Sequence, residues 1–109
     1  MKIAGQWVSV ADVDHALLAD CREFVQELGT APVQTRDGLG MIAVFAVAKD
    51  GLREQAVAAL GGAIAALPRQ RRPRETYWVD ALPRTPTGKL QRNKLVDLRA
   101  AMSEHVLVD

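Results

Sequence analysis

Residues Met41–Ala48 form an unbroken run of eight apolar residues near the middle of a chain of 109 residues. The run is rich in Val, Ile and Phe side chains, and it follows the turn dipeptide Asp37-Gly38. Because neighbouring side chains of a strand point to opposite faces, both faces of such a strand must be covered. The run therefore predicts a buried strand that pairs antiparallel with the strand before it.

The elements around this strand follow from apolar periodicity and from turn residues. In chain order we expect helix Val10–Ala19 after an N-cap at Ser9, a short irregular strand within Glu23–Val33, the buried strand, helix Leu52–Leu67 ended by Pro68, strand Thr76–Val79, loop Asp80–Gly88 and helix Gln91–Met102. This order predicts one small α+β sandwich, with a short and mainly antiparallel sheet covered by helices. We find no internal repeat and no linker to a second domain.

The charge of the chain is unevenly distributed. Residues 69–99 hold nine Lys and Arg against three Asp and Glu, a net charge of +6, although the whole chain carries only +1. A basic segment of this kind either faces a polyanion or is a solvated surface, and both readings stay open. Aromatic residues make up only 5% of the chain, which argues against a stacking surface for single-stranded nucleic acid.

Several classes of protein are excluded at this stage. With Cys21 as the single cysteine, the chain can form no internal disulfide and no cysteine metal cluster. His15 and His105 have no acidic or cysteine partners at ligand spacing, so we expect no metal site. No apolar run approaches the length of a membrane span, and we expect a cytoplasmic protein.

The segment Leu82–Leu95 is the most informative part of the basic region. Pro83 and Pro86 restrict two backbone φ angles, and Gly88 permits a conformation that a side chain would disfavour. Lys89 is thereby expected at the end of a stiff arm, where its ammonium suits recognition of a phosphate or carboxylate.

This segment resembles the last motif of the adenylate-forming enzymes, a superfamily of acyl-CoA synthetases, peptide synthetase adenylation domains and luciferases. The matching positions are Leu82, Pro83, Thr85, Gly88, Lys89, Arg92 and Leu95. Residues 1–9 are similar to the family segment after the interdomain hinge, and Asp14 stands where the family commonly has Glu. Arg71–Arg74 is similar to the basic, proline-containing run before the last strand.

The resemblance implies that residues 1–109 are the C-terminal lid domain of an acyl- or aryl-CoA ligase, without the N-terminal domain that binds nucleotide and acyl group. Such enzymes convert a carboxylic acid and ATP to an acyl-adenylate and pyrophosphate, with Mg²⁺ bound mainly by the other domain. They then transfer the acyl group to CoA or to a carrier-protein pantetheine and release AMP. Lys89 is implied as the catalytic lysine of the first step, and Thr87, Gly88 and Arg92 as its supporting loop. The isolated domain is expected to be inactive and to hold no cofactor.

For the second step, the resemblance implies that the domain rotates and presents Gly5 to the thiol. Lys2, near the hinge, is given an electrostatic role, and Arg72 and Arg74 are implied as contacts to CoA phosphates. Lys89 is also similar to a lysine that an acetyltransferase modifies in bacterial acyl-CoA synthetases.

Two other functions stay open at this point. The chain could be a separate regulatory domain that docks on a ligase, or a basic nucleic-acid-binding module. The sequence leaves open the acyl substrate, although residues 5–9 look most like the benzoate–CoA ligase branch. It also leaves open the acceptor thiol, the oligomeric state, and whether the chain is a fragment or a natural separate domain.

Overall fold

A computed structural model of the chain describes residues 2–3, 6–7, 9–34, 38 and 40–106, with side chains described for residues 9–34, 38 and 40–101. The described elements are β1 (Lys2–Ile3), β2 (Gln6–Trp7), α1 (Val10–Cys21), β3 (Val25–Gln34), β4 (Gly40–Ala48), α2 (Arg53–Ala66), a short 3₁₀ helix (Arg69–Arg71), β5 (Glu75–Trp78) and α3 (Arg92–Val106). The predicted order of helices and strands is confirmed. The β1–β2 pair is an addition that apolar periodicity did not predict.

The main sheet has the order β3-β4-β5, so the apolar strand β4 lies in its centre. β3 and β4 are antiparallel, with Val25 opposite Ala48 and Gln34 opposite Gly40. β5 pairs with the other edge of β4 in parallel, and α2 forms the crossover between these two strands. The sheet therefore combines the predicted antiparallel hairpin with one parallel pairing.

The two faces of β4 belong to two different parts of the core. Ile42, Val44 and Ala46 pack in a cluster with residues of α1 and α2. The alternate residues, including Phe45, pack in a second cluster with Leu82 and Leu95. This division confirms that both faces of the strand are covered, and it places the loop that contains Leu82 on the face opposite α1 and α2.

β3 is longer and more regular than predicted, since it runs over ten residues. Pro32 lacks an N–H. Backbone N–H groups two residues apart in a strand point to the same side, and the N–H of Thr30 points away from β4, where it bonds to Asp14 Oδ1. The missing donor therefore falls on the free edge, where proline is tolerated in a strand.

The helices begin and end close to the predicted residues. Ser9 caps α1 by accepting a hydrogen bond from the N–H of Asp12 at 3.4 Å, as the sequence predicts. α2 ends before Pro68. The turn that precedes α2 contains Gly51, whose φ is +75°. Among the described residues, no helix is both long and apolar enough to cross a membrane.

Candidate functional site

The predicted stiff arm is a β-hairpin between β5 and α3. Its base is closed by a hydrogen bond from Gln91 N–H to Pro83 O at 2.9 Å, and Arg84 and Leu90 form an antiparallel bridge above it. The N–H of Thr85 then donates to Lys89 O at 2.8 Å, which leaves residues 86–88 as a three-residue tip. This is the hairpin form in which a turn is followed by a residue of positive φ.

Gly88 is that residue, with φ of +90°. Its N–H donates to Thr85 O at 2.9 Å, which closes the turn that begins at Thr85. An L-amino acid with a side chain adopts this backbone conformation only at a cost. The expected backbone role of Gly88 is thus confirmed.

Two threonine hydroxyls add to the order of the tip. Thr85 Oγ1 accepts a hydrogen bond from the N–H of Lys89 at 3.1 Å, and it lies 3.0 Å from the hydroxyl oxygen of Thr87. The backbone of Lys89 is therefore held on both sides, since its carbonyl also accepts from Thr85 N–H. Thr87 is placed at the tip, in contact with the residue that positions Lys89.

The side chain of Lys89 is exposed at the end of this hairpin. Its ammonium forms no hydrogen bond or ion pair with any residue that the structure describes. A backbone held by hydrogen bonds thus carries a cation that remains available to an anion outside the domain. Burial of this amine would have contradicted the sequence-based prediction.

The hairpin lies against β3. Leu90 packs beside the second core cluster and covers Gly29. A Cβ atom at position 29 would lie only 2.5 Å from Leu90 Cδ2, so a side chain there would require the Leu90 side chain to shift. Gly29, which made the strand appear irregular in the sequence, is therefore the position that accommodates the arm.

Arg84 ties the outer part of the hairpin to the same strand. Its Nε donates to Glu27 Oε1 at 2.9 Å, and its Nη1 donates to Gly88 O at 3.0 Å. Sequence analysis missed this interaction because the two partners are separated by 57 residues. The only available signal was the position of Arg84 inside the motif.

Arg92 holds the start of α3. Its Nη2 lies 2.8 Å from Asp14 Oδ2, and its Nη1 donates to the carbonyl oxygen of Thr30. Arg92 is thus bonded both to a backbone carbonyl of β3 and to a carboxylate of α1.

Asp14 connects three elements of the fold. Its Oδ1 accepts from the N–H of Thr30 at 2.8 Å and from the Thr30 hydroxyl, while Oδ2 pairs with Arg92. Thr30 is fully buried, so the network satisfies polar groups on the free edge of β3 that water does not reach. The network joins α1, β3 and the first turn of α3, three residues after Lys89.

The basic run before β5 contains arginines in different environments. Arg72 donates from Nε to Leu67 O and from Nη2 to Ala65 O, both at 2.8 Å, and so satisfies carbonyls at the C-terminal end of α2. The side chain of Arg74 is exposed, and its backbone N–H donates to Ile42 O at 2.9 Å. Of the two predicted CoA contacts, Arg72 therefore has an intramolecular role that the sequence did not predict.

The remaining predicted site residues are near the N-terminus. The backbone of Lys2 lies in β1, opposite Trp7, and nothing is described of its side chain. Gly5 lies outside the described residues. The hairpin, β3 and the start of α3 thus bring together Thr87, Gly88, Lys89 and Arg92, whereas Arg72 and Arg74 belong to the segment between α2 and β5.

Glu75, at the start of β5, forms an ion pair that sequence analysis missed. Arg99 Nε lies 2.6 Å from Glu75 Oε1, and Nη2 lies 3.0 Å from Oε2. The Tyr77 hydroxyl also donates to Oε1 at 2.6 Å. The hydrogen bonds from Arg99 lower the pKa of Glu75 below its ordinary value, and the hydrogen bond from Tyr77 contributes less. The Glu75–Arg99 hydrogen bonds also raise the pKa of Arg99.

Other candidate chemistry is limited in the part of the chain that the structure describes. No three His, Cys, Asp or Glu side chains there are grouped so as to hold a metal ion. Cys21 is buried and donates to Leu17 O at 3.0 Å, and burial raises the pKa of its thiol, with a further contribution from Asp20. Cys21 therefore packs as a structural thiol in the first core cluster.

Trp78 also has a structural environment. It packs against the first core cluster, and the guanidinium of Arg53 lies 5.5 Å from its ring centroid. The pair lines an open cleft of about 220 Å³ together with Val47, Ala48, Lys49, Val79 and Asp80. No residue of the Lys89 hairpin contributes to this cleft.

Known proteins similar to this chain include two hydroxybenzoate–CoA ligases. The chain is 33% identical over 104 residues to the 3-hydroxybenzoate–CoA ligase of Aromatoleum sp. (strain CIB), and 31% identical over 107 residues to the 3-hydroxybenzoate–CoA/4-hydroxybenzoate–CoA ligase of Thauera aromatica. Each match covers 93% of this chain but only 20% of the relative, so the chain spans about a fifth of the length of these curated relatives. No protein-family model matches the chain.

Solved structures share the fold over nearly the whole chain. The anthranilate CoA ligase AuaEII, solved with anthranoyl-AMP, is 29% identical with a TM-score of 0.78, and the match covers 93% of this chain and 20% of that one. A Mycobacterium tuberculosis fatty acyl CoA synthetase shares the fold with a TM-score of 0.71 at 22% identity, over 94% of this chain and 20% of the synthetase. The similarities to the two hydroxybenzoate–CoA ligases and to AuaEII show that the chain belongs to the adenylate-forming enzymes, and the shared fold is that of their C-terminal domain.

Proposed function

We propose that this chain acts as the C-terminal domain of an AMP-forming acid–thiol ligase and supplies Lys89 to the first of two half-reactions. One observation carries the proposal: the hairpin fixes the backbone of Lys89, yet its ammonium has no partner within the described residues. The names of the two curated relatives support the reaction class. An N-terminal domain would complete the site.

In the first half-reaction, a carboxylate oxygen of the acid attacks the α-phosphorus of ATP. A bond to phosphorus forms, the bond to the bridging oxygen breaks, and pyrophosphate leaves with its electron pair. Two anions approach each other in this step, so a positioned cation between them offsets their repulsion in the transition state. We assign this task to the ammonium of Lys89.

In the second half-reaction, a thiol attacks the acyl carbon, its proton is lost to a base, and AMP leaves. We propose that the domain rotates between the steps, so that the segment around Gly5 and Lys2 faces the thiol. The exposed Arg74 is the better placed cation for a CoA phosphate, because Arg72 already donates two hydrogen bonds to the end of α2. Arg72 then supports this surface by fixing the segment that precedes Arg74.

The substrates that we propose are ATP, an aromatic carboxylic acid and CoA or a carrier-protein pantetheine. The choice of an aromatic acid is supported by the relatives, which are named for hydroxybenzoates. We propose that Mg²⁺ accompanies ATP and is bound mainly by the N-terminal domain, and we assign no step to a metal held by this chain. A cytoplasmic location stays a prediction.

The exposure of Lys89 also leaves it accessible to modification. Acetylation would remove the positive charge that the first half-reaction needs. We propose that an acetyltransferase acting on Lys89 switches off adenylation. Mass spectrometry after treatment with an acetyltransferase should find the modification at Lys89, and a hairpin that stays unmodified would contradict this part of the proposal.

A hybrid ligase tests the function directly. This chain would replace the matching C-terminal fifth of the Aromatoleum 3-hydroxybenzoate–CoA ligase, and acid-dependent exchange of pyrophosphate into ATP would report adenylation. Thioester formation from a supplied acyl-adenylate and CoA would report the second step. We expect both activities in the hybrid, and adenylation at much lower rates in the ligase without any C-terminal domain. A folded hybrid that performs neither reaction would contradict the proposal.

A further inference from the structure

We propose that Glu27 and Arg84 are positioning residues for Lys89, and that they form a clamp which fixes the direction of the lysine during adenylation. The inference rests on the proposed function, because it assumes that Lys89 acts in the first half-reaction. It adds two residues, on β3 and on the hairpin, whose effect on catalysis is exerted through the backbone at Gly88.

The clamp acts on a single peptide unit. The Gly88–Lys89 peptide carries the carbonyl that accepts from Arg84 Nη1 at 3.0 Å and the N–H that donates to Thr85 Oγ1 at 3.1 Å. Both polar ends of this peptide are therefore held by side chains. Because the peptide is planar, fixing its two ends fixes the direction in which the Cα of Lys89 leaves it.

Arg84 connects this peptide to the sheet. Its guanidinium is a rigid plane, and it binds Glu27 through Nε and Gly88 O through Nη1 at the same time. Glu27 belongs to β3, which is paired with the central strand along its length. A strand of the core, a planar cation and the lysine-bearing peptide are thus connected in series.

The clamp affects local order more than the stability of the fold. The side chains of Arg84 and Glu27 remain 39% and 27% exposed, and ion pairs with that much solvent contact contribute little to folding. Leu90 and Arg92 already attach the C-terminal side of the hairpin to β3. What the clamp adds is attachment of the tip, next to the residue that must enter the active site.

Positional precision matters in this reaction, because a displacement of about 1 Å at a reacting centre can cost about 10²-fold in rate. Loss of the clamp should therefore slow adenylation, in which Lys89 takes part. Thioester formation from a supplied acyl-adenylate should be unaffected, because the proposed rotation moves the hairpin away in that step. A residue that only stabilised the fold would affect both reactions alike.

The first experiment measures the clamp without reference to function. NMR relaxation on the 109-residue chain would give the backbone order parameters of Gly88 and Lys89 in the wild type and in the Arg84→Met and Glu27→Ala variants. We expect values near about 0.85 in the wild type and below about 0.6 in Arg84→Met, with a smaller decrease in Glu27→Ala. Glu23→Ala is the matched control, because Glu23 is exposed and has no ion pair among the described residues. Unchanged order at Gly88 and Lys89 in both clamp variants would overturn the proposal.

The second experiment places the same substitutions in the hybrid ligase. We expect Arg84→Met to lower kcat for adenylation by about tenfold or more, with thioester formation from acyl-adenylate at the wild-type rate. Equal loss in both half-reactions, or none in adenylation, would overturn the positioning role. If instead Lys89→Ala left adenylation unchanged, the proposed function would fail, whereas the order parameters would still show whether the clamp exists.

Discussion

Substitution of Asp14 separates two contributions to the stability of the site. In Asp14→Ala, the buried N–H of Thr30 loses its acceptor, and Arg92 loses its ion-pair partner. In Asp14→Asn, the amide oxygen can still accept from the Thr30 N–H, whereas the amide NH₂ replaces the oxygen that pairs with Arg92, so the ion pair is lost. The two variants should therefore differ by the cost of leaving a buried donor without an acceptor.

The magnitudes follow from burial. An unsatisfied buried donor costs about 1–3 kcal/mol, and Thr30 is fully buried. The ion pair is worth less, about 1 kcal/mol, because the Arg92 side chain is 29% exposed and that of Asp14 is 13% exposed. We therefore expect Asp14→Ala to lower the free energy of unfolding by about 3 kcal/mol and Asp14→Asn by about 1 kcal/mol.

Urea denaturation of the chain, followed by circular dichroism, measures both values. For a domain of about 100 residues, 1 kcal/mol corresponds to about 4–8 °C in Tm, so thermal unfolding gives a second estimate. The control is Asp97→Ala on α3, an exposed residue with no ion pair in the described part of the chain, which should change stability by less than about 0.5 kcal/mol. Equal losses in the Ala and Asn variants would refute the reasoning, because the buried N–H would then contribute nothing.

Three further predictions concern pH, backbone conformation and CoA. Arg99 lowers the pKa of Glu75 in the folded state, so the Glu75–Arg99 pair stabilises the fold at neutral pH. This stabilisation is lost as pH falls below about 4.5 and through the folded pKa of Glu75. The urea midpoints at pH 7 and pH 3 should therefore differ less in Glu75→Gln than in the wild type. Gly88→Ala should destabilise the chain by about 1–2 kcal/mol because φ is +90°, whereas Gly61→Ala, an open helical position, should stabilise it by up to about 1 kcal/mol; denaturant titration of both variants measures the contrast. In the hybrid ligase, Arg74→Ala should raise the KM for CoA and leave the KM for ATP unchanged, and steady-state kinetics with each substrate varied would show an effect on ATP if this assignment is wrong.

The central strand could be predicted because its signal is local and strong. Eight apolar residues in succession indicate cover on both faces, whatever the rest of the chain does, and β4 has that cover. The special backbone conformation at Gly88 could be expected for a similar reason, since glycine tolerates φ values that other residues avoid. The parallel pairing of β5 was not, because periodicity shows that a strand exists and not which neighbour it pairs with.

β3 shows where local signals mislead. Gly29 and Pro32 are unfavourable in a strand considered alone, and they predicted a short and irregular one. In the fold, Leu90 occupies the space above Gly29, and Pro32 faces the free edge. Both reasons depend on residues far away in the chain, so tertiary structure reverses the local preference.

The supporting network of the lysine was hidden for the same reason. Lys89, Gly88 and Arg92 fall in one segment and were recognised through a motif. Glu27 lies 57 residues from the arginine that it binds, and no spacing rule connects them. The motif therefore identifies the group that carries the charge, whereas the fold identifies the residues that position it.

The most direct test of the account is the effect of Lys89→Ala on the two half-reactions of the hybrid ligase. We expect adenylation to fall by about 10²–10³-fold, because one preorganised charge contact to the transition state is lost. Thioester formation from supplied acyl-adenylate should remain within about twofold of the wild type, since the proposed rotation removes this contact from the second transition state. Lys94→Ala removes the same charge from an exposed position of α3 and should leave both rates unchanged. Adenylation at the wild-type rate in Lys89→Ala, or an equal loss in both half-reactions, would contradict the account.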